Sequence, residues 1–507
     1  MKKLLFIITT ALLVLGTSCE DFLSVNEKNP NQASQVPANL ILPAAQNNTG
    51  RLFAGNPGQF QFIYTWYGCW SISGGYSQDA NMTGYNLLNS HFQGNWQNAY
   101  YNLQNYDYII KNSTTAKQRP WKAIAKIMQV YIYQNLVDCY GNIPYSEALK
   151  TDEGILKPKY DDQKTIYEDL IVQLDTAMNL ITKSPADADE VGEYDMIYGG
   201  DMALWKKFAN TLKLRILVNQ SGMTGRDTYI KSNLAATASV GYLGAGESAM
   251  LNPGYVKSSG KMNPFWERFY KQDDSQQSDG LGYFVAGADA CKFLNDNADP
   301  RRFRYFTAVS GTTAGNIFGT VPLLLPSVTS KIGPGLLKAY NMDSPIFTDF
   351  ESLFLQAEAV QRTLITGDAK ALYESAVTQS IIYMGGTSGT AAAAATYLAQ
   401  AKPLVSYDGS PNKLQAILTQ KWLALNGISA MPIWTDYRRT GYPLGTDALP
   451  ANNTIHFSQD AARLSDTPPV RLLYPQTEIN TNNDNVKLQG VNKAEDTFTK
   501  KIFWQNR

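Results

Sequence analysis

Apolar residues recur at every third or fourth position through most of this chain, which predicts a mainly helical protein. A first helix is expected over about 39–47. Phe62, Trp66 and Trp70 keep helical spacing and predict a core-facing helix, broken by the Ser73-Gly74-Gly75 run. Segments 91–113 and 119–140 read as an antiparallel helix pair. In the second, Ile124, Met128, Tyr131 and Asn135 hold the period, and the stretch from Asp138 to Pro144 stops it. Ile166, Leu170, Leu174 and Met178 mark a helix over 163–181. Asp201 is a good N-cap for the next, which carries Leu204, Trp205, Phe208, Leu212 and Ile216. From 241 to 345 the period fades and Gly, Ser, Pro and Asn rise, with short strands expected, for example over 320–325. Helical spacing returns at Thr348-Asp349-Phe350-Glu351, a capping box ahead of Leu353, Phe354, Ala357, Val360 and Leu364. Gly367 is expected to end that helix and Asp368 to start another, through Leu372, Ala376 and Tyr383. A last clear helix covers about 414–425, and the tail reads as irregular.

This order describes a mostly α protein. Helix hairpins with short joints suggest stacked repeats, although no 34-residue consensus stands out. The divisions read as a leader at 1–18, a tether at 19–40, a helical scaffold at 41–240, a loop-rich insertion carrying short strands at 241–345, a second scaffold part at 346–430 and an irregular C-terminal segment at 431–507. Loops on rigid scaffolds are where binding sites usually sit.

The first residues change the picture. Lys2 and Lys3 precede an apolar run from Leu4 to Leu15, long enough for a signal peptide but short of the roughly 20 residues of a spanning helix. Gly16, Thr17 and Ser18 then lead to Cys19. The pattern resembles a bacterial lipobox, with its usual Leu one place further back, at Leu15. The expectation is lipidation at Cys19, which anchors the chain to a membrane without spanning it. The alternative is an ordinary signal peptide with a chance cysteine. Removing 18 of the 507 residues leaves 489.

Charge narrows the partners. Forty-four basic residues balance 44 acidic ones, and no basic run appears, so nucleic acid is not expected. Cys69, Cys139 and Cys291 are far apart and odd in number, and no CxxC exists, which excludes ribbon and thioredoxin readings. His91 and His456 are too few for most His-based catalysis or metal sites and read as structural. Neither a metal nor a cofactor is expected.

Aromatic residues make up 12% of the chain. Tyr and Trp offer a flat apolar face with a polar handle, and plentiful Asn, Gln and Gly suit a neutral, hydroxyl-rich ligand. The candidate binding residues are Trp66, Trp70, Tyr76, Asp79, Asn81, Trp266 and Tyr270, though Trp66 and Trp70 also suit a core. Asp436, Arg438 and Arg439 read as a buried ion-pair network rather than as catalytic groups.

Several stretches in order are similar to the SusD/RagB family of outer-membrane lipoproteins, its shorter branch above all. They are Ser18-Cys19-Glu20-Asp21-Phe22-Leu23, Trp205 to Arg215, Asn263-Pro264-Phe265, Asp299-Pro300-Arg301, Leu355 to Ala359, Gln420 to Leu425, Trp434 to Pro443 and Arg471 to Pro475. The resemblance covers essentially the whole mature chain. It implies a tetratricopeptide-like scaffold with a loop-rich second part. It also implies a non-catalytic surface lipoprotein that delivers glycans, or in some members peptides, to a TonB-dependent, SusC-like outer-membrane barrel. Glu20-Asp21 resembles a surface-export signal. The competing readings are a peptide-binding member of the family and a surface glycoside hydrolase, which needs two carboxylates at a defined separation. No nucleophile elbow, HExxH or Walker loop is present.

Overall fold

The computed structural model describes residues 36–54, 57–446 and 455–505. The leader, most of the tether and Cys19 lie outside the described residues.

The first scaffold part consists of α1 (Ala38–Thr49), α2 (Pro57–Trp66), α3 (Gln93–Asn112), α4 (Arg119–Tyr140), α5 (Gln163–Thr182), α6 (Met202–Asn219) and α7 (Asp227–Ala236). Helix α4 is buried on every side from Ala123 to Val130 apart from Lys126 and Gln129, and throughout from Tyr131 to Tyr140. An all-round buried helix belongs at the centre, and α3 and α5 flank it, with α6 packed on α5. The loop-rich part carries α8 (Pro264–Phe269), α9 (Ala288–Asp296) and two single-turn helices, Gly280–Tyr283 and Arg302–Tyr305. The second scaffold part is α10 (Asp349–Gln361), α11 (Ala369–Met384), α12 (Ala391–Leu398), α13 (Lys413–Ala424) and α14 (Ala430–Thr440). Helix α10 packs on α11, α13 and α6, so the two parts share one hydrophobic core. The fold is mostly α, a tetratricopeptide-like helical scaffold carrying few and short strands.

Local chemistry sets the helix starts. The side chains of Asp162, Asp201 and Asp368 accept from backbone N–H groups at the starts of α5, α6 and α11. Thr348 caps α10 through the Glu351 N–H, 3.2 Å away. The reciprocal half of the capping box is missing, because the Glu351 carboxylate pairs with Arg215 of α6 at 3.4 Å.

Several expectations are corrected. The helix through Phe62 ends at Trp66, and Trp70 lies on a strand. Gly68 has φ +68°, and a Cβ there would sit 2.4 Å from Asp289 Oδ2, so the turn excludes any side chain. Helix α10 ends at Gln361, ahead of Gly367. Thr363 turns left-handed at φ 57°, and the Leu364 N–H donates to Ala359 O. Residues 320–325 form no strand. Pro322 and Pro326 lack N–H donors, and the Leu324 carbonyl accepts from Gly74 N–H instead. The segment from 431 is not irregular at its start, because α14 occupies it. Pro432 is tolerated there because it falls in the first turn.

The strands pair as four two-stranded units: β1 (Trp70–Ile72) with β5 (Phe284–Ala286), β2 (Ile143–Pro144) with β3 (Tyr160–Asp161), β4 (Ala249–Leu251) with β6 (Ser344–Phe347), and β7 (Gly445–Thr446) with β8 (Ile455–His456). Only the last pair is parallel. The first matters most. Its antiparallel register sets Trp70 opposite Ala286 and Ile72 opposite Phe284. The chain leaving β1 therefore meets the chain entering β5.

Among the described residues no helix is long and apolar enough to cross a membrane. Cys69, Cys139 and Cys291 are buried free thiols. Burial raises all three, Cys291 to about 12.

Candidate functional site, a loop-lined cleft

The β1–β5 register builds one wall of an open cleft. Ser73 N–H donates to Tyr283 O at 3.0 Å, and the Tyr76 ring meets the Tyr283 ring edge-on with centroids 5.5 Å apart. A Cβ on Gly282 would lie 2.5 Å from the Tyr76 hydroxyl, so glycine is what admits the ring. Two distant segments close the cleft, 319–323 and 459–461. Gln78 binds the first by both ends of its amide. Its Nε2 donates to Thr320 O at 3.1 Å, and its Oε1 accepts from Gly319 N–H at 3.2 Å. Asp460 anchors the second, accepting from Thr83 Oγ1 at 2.6 Å and from Ala462 N–H at 2.8 Å. The cleft has a volume of about 720 Å³, well within the range of ligand-binding pockets.

Its lining is mixed. Tyr76, Val321 and Leu323 give apolar surface, while Gln78, Gln459, Thr320 and Asp460 give donors and acceptors. Val321 is 87% exposed. A second aromatic element lies on α8, where Trp266 and Tyr270 stack with centroids 4.4 Å apart and planes 20° from parallel. Both rings are partly exposed, and Trp266 Nε1 has no partner. Asn263 caps α8, accepting from Phe265 and Trp266 N–H groups. Burial raises the Tyr270 and Tyr283 hydroxyls, keeping both neutral donors.

The structure sorts the expected ligand residues into three groups. Tyr76 lines the cleft. Asp79 and Asn81 flank Ala80, another lining residue, but Asp79 Oδ1 is held by Asn81 N–H at 2.9 Å as a helix cap, and Asn81 Oδ1 accepts from Asn86. Trp266 and Tyr270 form the separate ledge on α8. Trp66 and Trp70 are corrected to core residues, since both are 0% exposed. Trp66 packs on Phe62 and Tyr85, and Trp70 packs on Tyr64, Phe265, Phe269 and Phe284. Burial of such large rings stabilises the fold and leaves no face for a ligand. Trp70 serves the site indirectly, because its cluster joins β1, β5 and α8. Residues 319–323 and 459–461 were missed. Gly319 and Pro322 punctuate the first, which does not say where a loop docks, and Gln459-Asp460-Ala461 carries no such signal.

The charged residues of α14 are buried and committed to partners. Arg439 donates to both oxygens of Glu358 at 2.5 Å and to Asp436 Oδ1 at 2.7 Å. Lys421 pairs with Asp436 at 3.0 Å. Arg438 stacks on Trp434 and Trp504 and donates to the Asp138 and Val470 carbonyls. Asp436 and Arg439 thus form the expected ion-pair network, whereas Arg438 makes no ion pair among the described residues and is held by carbonyls and ring faces instead. His456 pairs with Asp289 at 2.5 Å, both buried, and His91 Nδ1 accepts from Leu88 N–H.

A family model described as starch-binding and associating with the outer membrane matches residues 30–475. No curated protein matches the chain. Among solved structures, a chitin-binding protein is similar at 24% identity and TM-score 0.73, covering 92% of this chain and 100% of that one. A SusD homologue of Bacteroides fragilis is similar at 20% identity and TM-score 0.72, covering 93% and 100%. A SusD/RagB family protein of Bacteroides thetaiotaomicron has the same identity, score and coverage. At these identities the structural likeness speaks to the fold.

Proposed function

The chain belongs to the SusD-like family of starch-binding proteins associating with the outer membrane, and from that premise we propose that it is a non-catalytic binding protein. It captures an oligosaccharide or polysaccharide at the cell surface and hands it to a TonB-dependent, SusC-like outer-membrane transporter. In this reading residues 1–18 are removed and Cys19 carries the lipid that holds the body at the membrane.

The observation that carries the reading is the cleft of about 720 Å³ with the Tyr76 ring on one wall and amide and hydroxyl groups around it. Sugar rings present C–H faces that pack on aromatic rings, and their hydroxyls pair with amides and carboxylates. The separate Trp266–Tyr270 ledge offers a second aromatic surface. The one acid lining the cleft, Asp460, is engaged in holding loops together. Glycoside hydrolysis calls for two carboxylates facing the ligand. An open cleft buries a modest part of its ligand, so affinities in the micromolar range or weaker are expected.

Titration calorimetry of the purified chain against soluble starch, chitin oligomers, other glycans and mixed peptides tests this. Mass spectrometry of each mixture then looks for cleavage. Glycan binding without cleavage is the expected result. Cleavage products overturn the non-catalytic reading, and binding of peptides alone overturns the glycan reading.

A further inference from the structure

A second, smaller pocket lies between α1 and α3, on the helical scaffold rather than the loops. Asn48 and Arg51 line one side, and Asn98, Tyr101 and Asn105 the other, with a volume of about 270 Å³. The three α3 residues sit at i, i+3 and i+7, so they share one helix face. Tyr101 is 65% exposed. Asn48 and Asn98 make no side-chain hydrogen bond among the described residues. Asn105 Nδ2 donates to Asn102 Oδ1 at 3.2 Å, which leaves the Asn105 carbonyl oxygen free. Asn102 itself is structural, donating to Ala45 O and Thr49 Oγ1 at 2.9 Å.

We infer that this pocket is a second carbohydrate-binding site, taking one neutral pyranose unit of the same class of glycan as the loop cleft. This inference rests on the sugar-binding reading above. Asn is a poor helix former, because its amide competes for the backbone. Exposed positions such as 98 would gain helix stability from Ala or Glu, and no hydrogen bond among the described residues calls for Asn there. Local choices that work against the fold are expected at functional sites. The carboxamides of Asn48 and Asn98 and the Asn105 carbonyl oxygen offer donors and acceptors to ligand hydroxyls. Tyr101 offers an aromatic face beside them. Arg51 is the only charged lining residue, and one of its N–H groups is already given to Gly260 O at 2.9 Å. Its remaining N–H groups can donate to ligand hydroxyls. The volume holds a single ring, below the size of a drug-like site. The Arg51 bond also ties the pocket to the 256–261 loop, whose Gly260 N–H donates to Glu267 on α8. The pocket and the Trp266–Tyr270 ledge are thus linked through one short relay. A polymer engaging the loop cleft and this pocket together gains affinity through effective concentration.

Saturation-transfer NMR of the purified full chain with glucose and N-acetylglucosamine tests it. The chains compared are wild type, Tyr76→Ala with Trp266→Ala, Tyr101→Ala with Asn105→Ala, and all four changes together. All four side chains are partly or largely exposed, so unchanged melting confirms folding. The expected result is transfer that is reduced but not abolished by the loop-cleft changes and falls roughly tenfold further when Tyr101 and Asn105 are also lost, as removal of a stacking face and a hydrogen bond implies. Transfer abolished by the loop-cleft changes alone overturns this inference and leaves the proposed function standing. Transfer insensitive to the loop-cleft changes but lost with Tyr101 and Asn105 upholds the pocket and overturns the cleft assignment. No transfer to wild type, or transfer unaffected by Tyr101→Ala with Asn105→Ala, overturns the pocket.

Discussion

Replacing Glu358 with Gln removes one charge from a buried ion network. Glu358 is fully buried and accepts from Arg439 twice at 2.5 Å and from Arg362 Nε at 2.7 Å. Burial alone would raise its carboxyl, but the Arg439 and Arg362 charges outweigh burial and hold it at about 2, against an ordinary 4.5. The fold therefore favours the charged form and is stabilised by it at neutral pH. Breaking one side of a buried pair costs about 3–5 kcal/mol. Because the folded value is depressed, this stability is fully present above about pH 4.5 and is lost as pH falls towards 2. Urea unfolding of Glu358→Gln at pH 7 should show a loss of ~3 kcal/mol, shrinking as the buffer is acidified. Glycan affinity should not change, because no member of the network lines the cleft. Pairing Glu358→Gln with Arg439→Met should recover part of the loss, since the uncompensated guanidinium is then gone. A loss under ~1 kcal/mol, or a large drop in glycan binding with the fold intact, would refute this reasoning.

Trp70→Ala should cost about 3–5 kcal/mol by emptying the cluster that joins β1, β5 and α8, read as a lower denaturation midpoint. Tyr76→Ala should leave that midpoint unchanged and weaken glycan binding roughly tenfold in calorimetry, the worth of one stacked ring. Gly68→Ala should lower the melting temperature by several degrees, since the new Cβ meets Asp289 in a left-handed turn. Cys69, Cys139 and Cys291 should resist alkylation in the native chain and react only once it is unfolded, as mass shifts will show.

The scaffold was legible because amphipathic helices announce themselves. Asp201 and Asp368 cap where their spacing places them, and 163–181 became Gln163–Thr182. Helix α14 was hidden by Pro432, which reads as a breaker yet costs nothing in a first turn. Periodicity carried Trp70 into a helix because it cannot sense Gly68, whose turn is fixed by Asp289, more than two hundred residues away. The site was legible only where one segment supplied it. Tyr76 was expected at a site and lines the cleft, but Val321, Leu323 and Gln459 reach that cleft through docking of remote loops. Trp66 and Trp70 were drawn to the surface by their chemistry, because aromatic side chains suit a core and a sugar platform equally well.

A crystal structure of the chain with a bound starch or chitin oligomer addresses the central claim most directly. The account predicts an intact oligomer lying in the cleft, with one sugar ring against Tyr76 and hydroxyls paired with the polar lining near Gln78 and Gln459. An oligomer bound only elsewhere on the molecule, or one cleaved in the cleft, would contradict it.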